Sequence, residues 1–378
     1  MSEHREPAFG PLDDIVHDPQ VTDVAVTCDG RVWADCGDGM RERRPRIPFR
    51  DHRVVREYAV RLCAQLGRRL DDAQPIADAS SDDGIRVHAV IAPLVPRGAS
   101  ISIRLPDRSH ATVADLCRRG LFPPEWLPVL RGLAAKRATL LITGGTGAGK
   151  TTLLKALLGE CDPHERIVTV EEVRELGVLP LANHVSMVTR EANVEGAGAV
   201  GLPDLVKATL RMRPDRVVLG ECRGEEIADL LRAYNSGHRG GMTTLHADGV
   251  SRVPSRLASL GLLAGLSPQA TAMFACGAFD AVLHLERSAG RRRLAQIGLL
   301  IGTQEGLAGQ PLGLWTGSGP ALHMPQWQAF ADRWTIGRTT GADGGRRAPA
   351  GGESTAPGDA APPRNVRRII PASERRPS

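Results

Sequence analysis

Between residues 144 and 151 the chain reads Gly144-Gly145-Thr146-Gly147-Ala148-Gly149-Lys150-Thr151, which fits G-x-x-x-x-G-K-[ST]. Each residue type in this pattern has a chemical reason. Glycines let backbone N–H groups curl around anionic oxygens without a Cβ in the way. A helix starting just after the loop would point its positive dipole end at the same anion. Lys150 would reach the β- and γ-phosphates of a nucleotide. The Thr151 hydroxyl would be free to ligate Mg²⁺, and Thr152 completes the first turn. The chain has four lysines, Lys136, Lys150, Lys155 and Lys207, and one of them occupies the position that needs an ammonium.

Other residues in the same half could complete such a site. Glu171 and Glu172 follow the apolar run Arg166-Ile167-Val168-Thr169-Val170, and Glu221 follows Arg216-Val217-Val218-Leu219-Gly220. A carboxylate at the end of a strand beside a phosphate loop can orient or deprotonate a water. By itself, an acid after an apolar strand is as readily a solvated turn residue. His238 and His246 flank Met242-Thr243-Thr244-Leu245. Their separation of eight suits neither a helical i, i+4 pair nor a compact zinc set, and a lone His beside a strand is more often structural. Arg86 and Arg104 lie on two β-branched runs upstream and are candidates to clamp phosphate. Arg190, Arg211 and Arg213 are weaker candidates of the same kind.

The elements needed to position these residues are legible. Thr139-Leu140-Leu141-Ile142-Thr143 is a short buried strand feeding the loop, and a helix runs from Thr151 to about Leu158. Further short strands at 166–170, 216–219 and 242–245 alternate with helices, which predicts an open α/β sheet with a parallel core. Residues 113–136 read as helical with a break at Pro123-Pro124. Upstream, Val21–Val26 and Arg31–Ala34 form a hairpin across Asp29-Gly30. Residues 51–66 place Val54, Val55, Tyr58, Ala59, Leu62 and Leu66 at helical spacing. Residues 85–92 and 99–105 form paired strands. We therefore expect a smaller mixed α/β domain at 1–105, a linker at 106–112, a phosphate-loop domain at 113–310, an extension at 311–336 and a disordered tail at 337–378.

Composition narrows the function classes. The 378 residues suffice for two ordinary domains, with 42% hydrophobic and 24% charged residues. Aromatic content of 3% argues against stacking of bases on aromatic rings. The net charge is +5, but residues 337–378 contain eight Arg and four acidic residues. The remainder is thus nearly neutral, and no direct nucleic-acid contact is expected. The basic tail is either an inert extension or a dock for anionic lipid or an acidic partner. The seven cysteines include no C-x-x-C, which fits reduced thiols in a cytosol. The N-terminus lacks a signal-peptide core. Residues 257–279 carry no charge, but the Ser267-Pro268 step reads as two short helices rather than one membrane span.

Taken in order along the chain, these motifs resemble the secretion-ATPase superfamily that powers type II secretion, type IV pili, type IV secretion and tight-adherence pili. The run ending Glu171-Glu172 is similar to its acidic "Asp box", with Glu172 where an Asp is usual. Leu210 to Arg223 resembles its atypical Walker B, and Gly237 to Ala247 its "His box". The resemblance covers roughly residues 11–300 and implies a RecA-like P-loop ATPase domain preceded by an N-terminal α/β domain, assembled as a homo-hexamer. It implies ATP and Mg²⁺ as cofactors, Glu171 acting on the water, and Glu221 with Thr151 at the metal. His238 and His246 would sense the γ-phosphate, and Arg86 and Arg104 would reach the nucleotide from the N-terminal domain. An inner-membrane platform protein would be the partner, with the chain cytoplasmic and peripheral at the membrane. Arg190 to Gly196, Asn235 to His238 and Ala281 to Arg287 look closest to the tight-adherence branch. A conjugation or DNA-transfer ATPase, or a nucleotide-gated scaffold with little turnover, are the alternatives.

Overall fold

Short segments of alternating burial build the N-terminal part. After one helical turn, α1 (Asp13–Val16), come β1 (Asp23–Val26), β2 (Val32–Asp35) and β3 (Met40–Arg43). Helix α2 (His52–Gln65) starts where the Asp51 carboxylate accepts from the N–H groups of Arg53 and Val54, at 2.7 and 3.1 Å. It buries Val55, Ala59, Leu62 and Cys63 on one face. β4 (Ile76–Ser80), β5 (Arg86–Ile91) and β6 (Ala99–Arg104) follow. The six strands form one antiparallel sheet in the order β3-β2-β1-β6-β5-β4. Val87, Ala89 and Ile91 alternate inward opposite Ile101 and Ile103. The side chains that alternation leaves outside include Arg86 and Arg104, which are register partners.

The second part begins with α3 (Val113–Arg118), opened by a Thr112–Asp115 capping box. α4 (Leu127–Ala135) follows Pro123-Pro124. Then come β7 (Leu140–Gly144), α5 (Lys150–Leu158), β8 (Ile167–Glu171), β9 (His184–Val188), α6 (Leu202–Thr209), β10 (Arg216–Cys222), α7 (Glu226–Asn235) and β11 (Met242–Leu245). α8 (Val253–Leu263), α9 (Pro268–Ala275), β12 (Ala281–Ser288), β13 (Arg291–Thr303), β14 (Gly306–Leu314), β15 (Leu322–His323) and α10 (Trp327–Trp334) complete it.

β7, β8 and β11 are buried at every position, so they must lie at the centre of a sheet covered on both faces. They do: the nine-stranded order is β15-β14-β13-β12-β7-β11-β10-β8-β9. β12 through β9 run parallel, and β13, β14 and β15 extend the sheet antiparallel. β14 crosses the expected boundary at residue 310. The stretch expected as an extension continues the sheet, and Trp327, Phe330 and Trp334 of α10 join the core around Trp126. The uncharged stretch 257–279 falls in α8 and α9, which meet at 119°. Ser267 caps the second by accepting from Ala270 N, and no single helix among the described residues is long and apolar enough to cross a membrane.

This computed structural model describes residues 7–335 apart from 38, 82, 107–110, 178, 191–197, 289 and 305. The tail at 337–378, the centre of the expected linker and most of the run Arg190 to Gly196 lie outside the described residues.

Candidate nucleotide site

At the end of β7 the chain must turn sharply, and glycine is required there for two reasons. Gly144 has φ 149°, and a Cβ on it would sit 2.4 Å from the Leu285 carbonyl oxygen of β12. Gly147 and Gly149 also take positive φ, 69° and 98°, with Gly149 capping α5 in the left-handed region. The loop therefore curls in front of the α5 N-terminus, a cradle that side chains would fill and that suits a phosphate. Ala148 turns into the core. Lys150 is buried and donates to the carbonyls of Gly144 and Gly145, both at 3.0 Å. Burial lowers its pKa, partly offset by the charges of Glu221 and Glu175.

Parallel pairing brings the remaining groups to the same edge. β11, β10 and β8 lie in that order beside β7, and each ends at the carboxyl edge where the loop begins. His246 just after β11, Glu221 near the end of β10 and Glu171 at the end of β8 are thereby delivered to one crevice. His246 Nε2 is 3.4 Å from Lys150 Nζ. It is 2.8 Å from Glu221 Oε1, a close contact without hydrogen-bond alignment. Burial pushes the Glu221 carboxyl up, but the Arg223 hydrogen bond at 2.6 Å and the charges of Arg223, His246 and Lys150 hold it below its ordinary value. Burial, reinforced by Lys150, lowers the His246 pKa.

Glu171 differs from its neighbour. It is 3% exposed, with Oε1 accepting from Leu176 N at 2.9 Å and Oε2 buried without a hydrogen-bond partner. Burial raises its pKa to about 7. Glu172 is half exposed and pairs with Arg223 at 3.1 Å. Arg86 donates to Glu175 from the N-terminal sheet, and Arg86, Glu171, Glu172, Glu175, Glu221 and Arg223 line one cleft with Gly220. Gly220 is there because Glu171 needs the space: a Cβ would lie 2.8 Å from Glu171 Cγ. Gly220→Ala is expected to displace that carboxylate, costing about 1–3 kcal/mol of stability and about tenfold in phosphate release. Thermal melting and a phosphate-release assay on the purified variant would check both.

Not every candidate reaches the crevice. His238 precedes β11 and sits at the opposite edge of the sheet, its ring against Ala233 O and Ser236 at the end of α7. Of the seven residues between it and His246, four form β11, about 13 Å of strand, so only His246 is at the site. Arg211 and Arg213 precede β10 and fall at that far edge as well. Arg190 follows β9 and donates to Gly198 O. Arg104 is exposed beside Arg86 and its charge reaches Lys150. Thr151 Oγ1 donates to Glu175 Oε2 at 3.4 Å, with Glu221 on the Lys150 side. Among the described residues no group of three or more His, Cys, Asp or Glu is arranged to hold a metal ion. Thr151 beside the cradle fits a cation that shares its ligands with phosphate.

Sequence reasoning missed Glu175 and Arg223. Glu175 lies in an irregular turn after β8, with no periodicity to mark it. The acidic density Glu171-Glu172-Glu175 was the available signal. Arg223 adjoins Glu221 and links it to Glu172.

A parallel sheet whose first loop is a phosphate cradle, with acids at the ends of neighbouring strands, defines a P-loop nucleotide-binding protein. The type II/IV secretion system protein family model matches residues 6–287, and the chain belongs to that family. It is 44% identical over 299 residues to a putative conjugal transfer protein of Mycobacterium tuberculosis, covering 77% of this chain and 84% of that one. A type IV secretion system protein PtlH homolog of Bordetella bronchiseptica is 33% identical over 259 residues, covering 63% and 76%. The Legionella pneumophila ATPase DotB shares the fold, with TM-score 0.52 and 18% identity over 80% of this chain and 84% of that one.

Proposed function

We propose that the chain is a motor ATPase, ATP + H₂O to ADP + phosphate, that assembles as a homo-hexamer and powers pilus assembly or protein secretion. The observation that carries this reading is the buried Glu171 carboxyl, its pKa near 7 and one oxygen unpartnered, on the same strand-end edge as Lys150. The cradle N–H groups and Lys150 hold the β- and γ-phosphates. Thr151 offers its hydroxyl to Mg²⁺, which when bound neutralises charge on the phosphate oxygens. Glu171 takes the proton of the attacking water. Glu221, held by Arg223 and His246, supports the metal side. Arg86 and Arg104 approach from the N-terminal sheet, so that charge on the nucleotide is tied to movement of that sheet. The chain acts in the cytoplasm at the inner face of the membrane, on an inner-membrane platform protein, within the tight-adherence branch.

The N-terminal limit proposed above, 1–105, goes with this reading, whereas the phosphate-loop domain that starts at 113 runs past 310 through β14, β15 and α10. A conjugation role is the second reading, favoured by the putative conjugal transfer relative. The test is phosphate release by the purified protein with and without double- and single-stranded DNA. The expected result is ATP- and Mg²⁺-dependent turnover that DNA changes by less than about twofold, as the near-neutral folded part implies. Stimulation of tenfold or more would favour DNA transfer, and no turnover would leave the scaffold.

A further inference from the structure

The hairpin of β12 and β13 carries Arg287 and Arg292 directly opposite each other on its two antiparallel strands. Like charges in that relation repel. Such a pair is ordinarily relieved by a carboxylate, and the same hairpin does so for Arg293, which donates to Glu286 at 2.6 Å. Among the described residues neither Arg287 nor Arg292 has an acidic partner. The acceptor for Arg287 is a neutral one, the Gly37 carbonyl in the turn between β2 and β3, at 3.0 Å from Nη2.

Both arginines lie against the phosphate loop. A Cβ on Gly147 would come within 3.2 Å of Arg287 Nη1, and one on Gly149 within 3.5 Å of Arg292 Cδ. β12 is the parallel neighbour of β7, and its Leu285 carbonyl already packs on Gly144. The hairpin therefore stands beside the cradle on the side away from β11, β10 and β8. Two guanidinium groups that have no acidic partner among the described residues, next to a loop built for an anion, are a local conflict that an anion in the loop would resolve.

We propose that Arg287 and Arg292 form a second wall of the phosphate site and grip the phosphate tail of a bound nucleoside di- or triphosphate. A phosphate oxygen is a stronger acceptor than the Gly37 carbonyl. Arg287 therefore exchanges one for the other, and nucleotide binding loosens the tie between the β2–β3 turn and the hairpin. The inference rests on the nucleotide reading above.

The test is titration of the full chain with a fluorescent ADP analogue, followed by its displacement with inorganic pyrophosphate. Arg287→Ala and Arg292→Ala are each expected to weaken the analogue about tenfold, and the double variant more. Arg287→Lys should recover part of the loss, and Arg291→Ala, whose residue faces Ser288, should bind as wild type. Pyrophosphate should compete less well with the analogue on the double variant by a similar factor. Circular dichroism melting on each variant separates lost binding from lost fold. If wild type binds, Lys150→Ala does not, and the arginine variants stay within twofold of wild type, the proposal is overturned alone. It is also overturned if analogue binding weakens while pyrophosphate affinity holds, because the contact would then be to the base. If wild type itself fails to bind, the nucleotide reading and this proposal fall together.

Discussion

Lys150→Ala is expected to weaken nucleotide binding on the order of 10²-fold and to abolish phosphate release. The ammonium sits behind the loop, 3.0 Å from two of its carbonyls, at the first residue of α5. Removing it takes away the point charge nearest the β- and γ-phosphate positions and the donor that ties the loop to itself. The loss has two parts. Missing charge should weaken ATP more than ADP, while a slackened loop should weaken both alike. Calorimetric titration with each nucleotide separates them, and Lys150→Arg, bulkier in a buried slot, should restore charge without restoring turnover. Wild-type affinity in the Lys150→Ala protein would remove the basis of the functional reading.

Glu171→Gln is expected to lower phosphate release about 10²–10³-fold while changing ATP affinity by less than about threefold. The substitution preserves shape and the acceptor oxygen that holds Leu176 N but cannot take a proton. The pH dependence is the sharper test. Burial raises the Glu171 pKa from 4.5 to about 7, and a base works only when ionised. Wild-type kcat/KM should therefore climb with pH through about 7, and the Gln variant should lose that limb. Stability moves the other way. Between pH 4.5 and about 7 the folded chain holds a proton that the unfolded chain has released. Unfolding free energy thus falls as pH rises across that window, and the contribution is whole below it. Urea titrations at pH 5 and pH 8 should show a smaller decline for the Gln variant than for wild type. A flat wild-type rate profile across pH 6–8 would exclude Glu171 as the base.

The two predictions use residues of unequal legibility. Lys150 was evident because its motif is contiguous: the spacing that makes it chemically useful is also a spacing along the chain. Glu171 was selected over Glu172 by resemblance, and local sequence gives two adjacent acids no distinction. What separates them is the strand. Glu171 is the last residue of β8 and turns inward beneath Gly220, whereas Glu172 turns out to solvent and Arg223. His238 and His246 show the converse. Both looked equally placed in the sequence, but a strand has two ends, and only its carboxyl end faces the loop.

Local sequence was sufficient for what depends on near neighbours: the glycine cradle, the helix that follows it, the apolar runs that must be central parallel strands, the hairpin at Asp29-Gly30 and the two-helix reading of the uncharged stretch. Those features follow from steric freedom, hydrogen-bond geometry and periodicity within about a dozen residues. Only the tertiary structure decided strand order, the continuation of the sheet past residue 310, and the meeting of Arg86 with Glu175 or of Arg287 with the loop. These pair residues 89 and 140 positions apart (Arg287 counted from Gly147). Such pairings are selected by burial of the whole sheet rather than by anything written beside either residue.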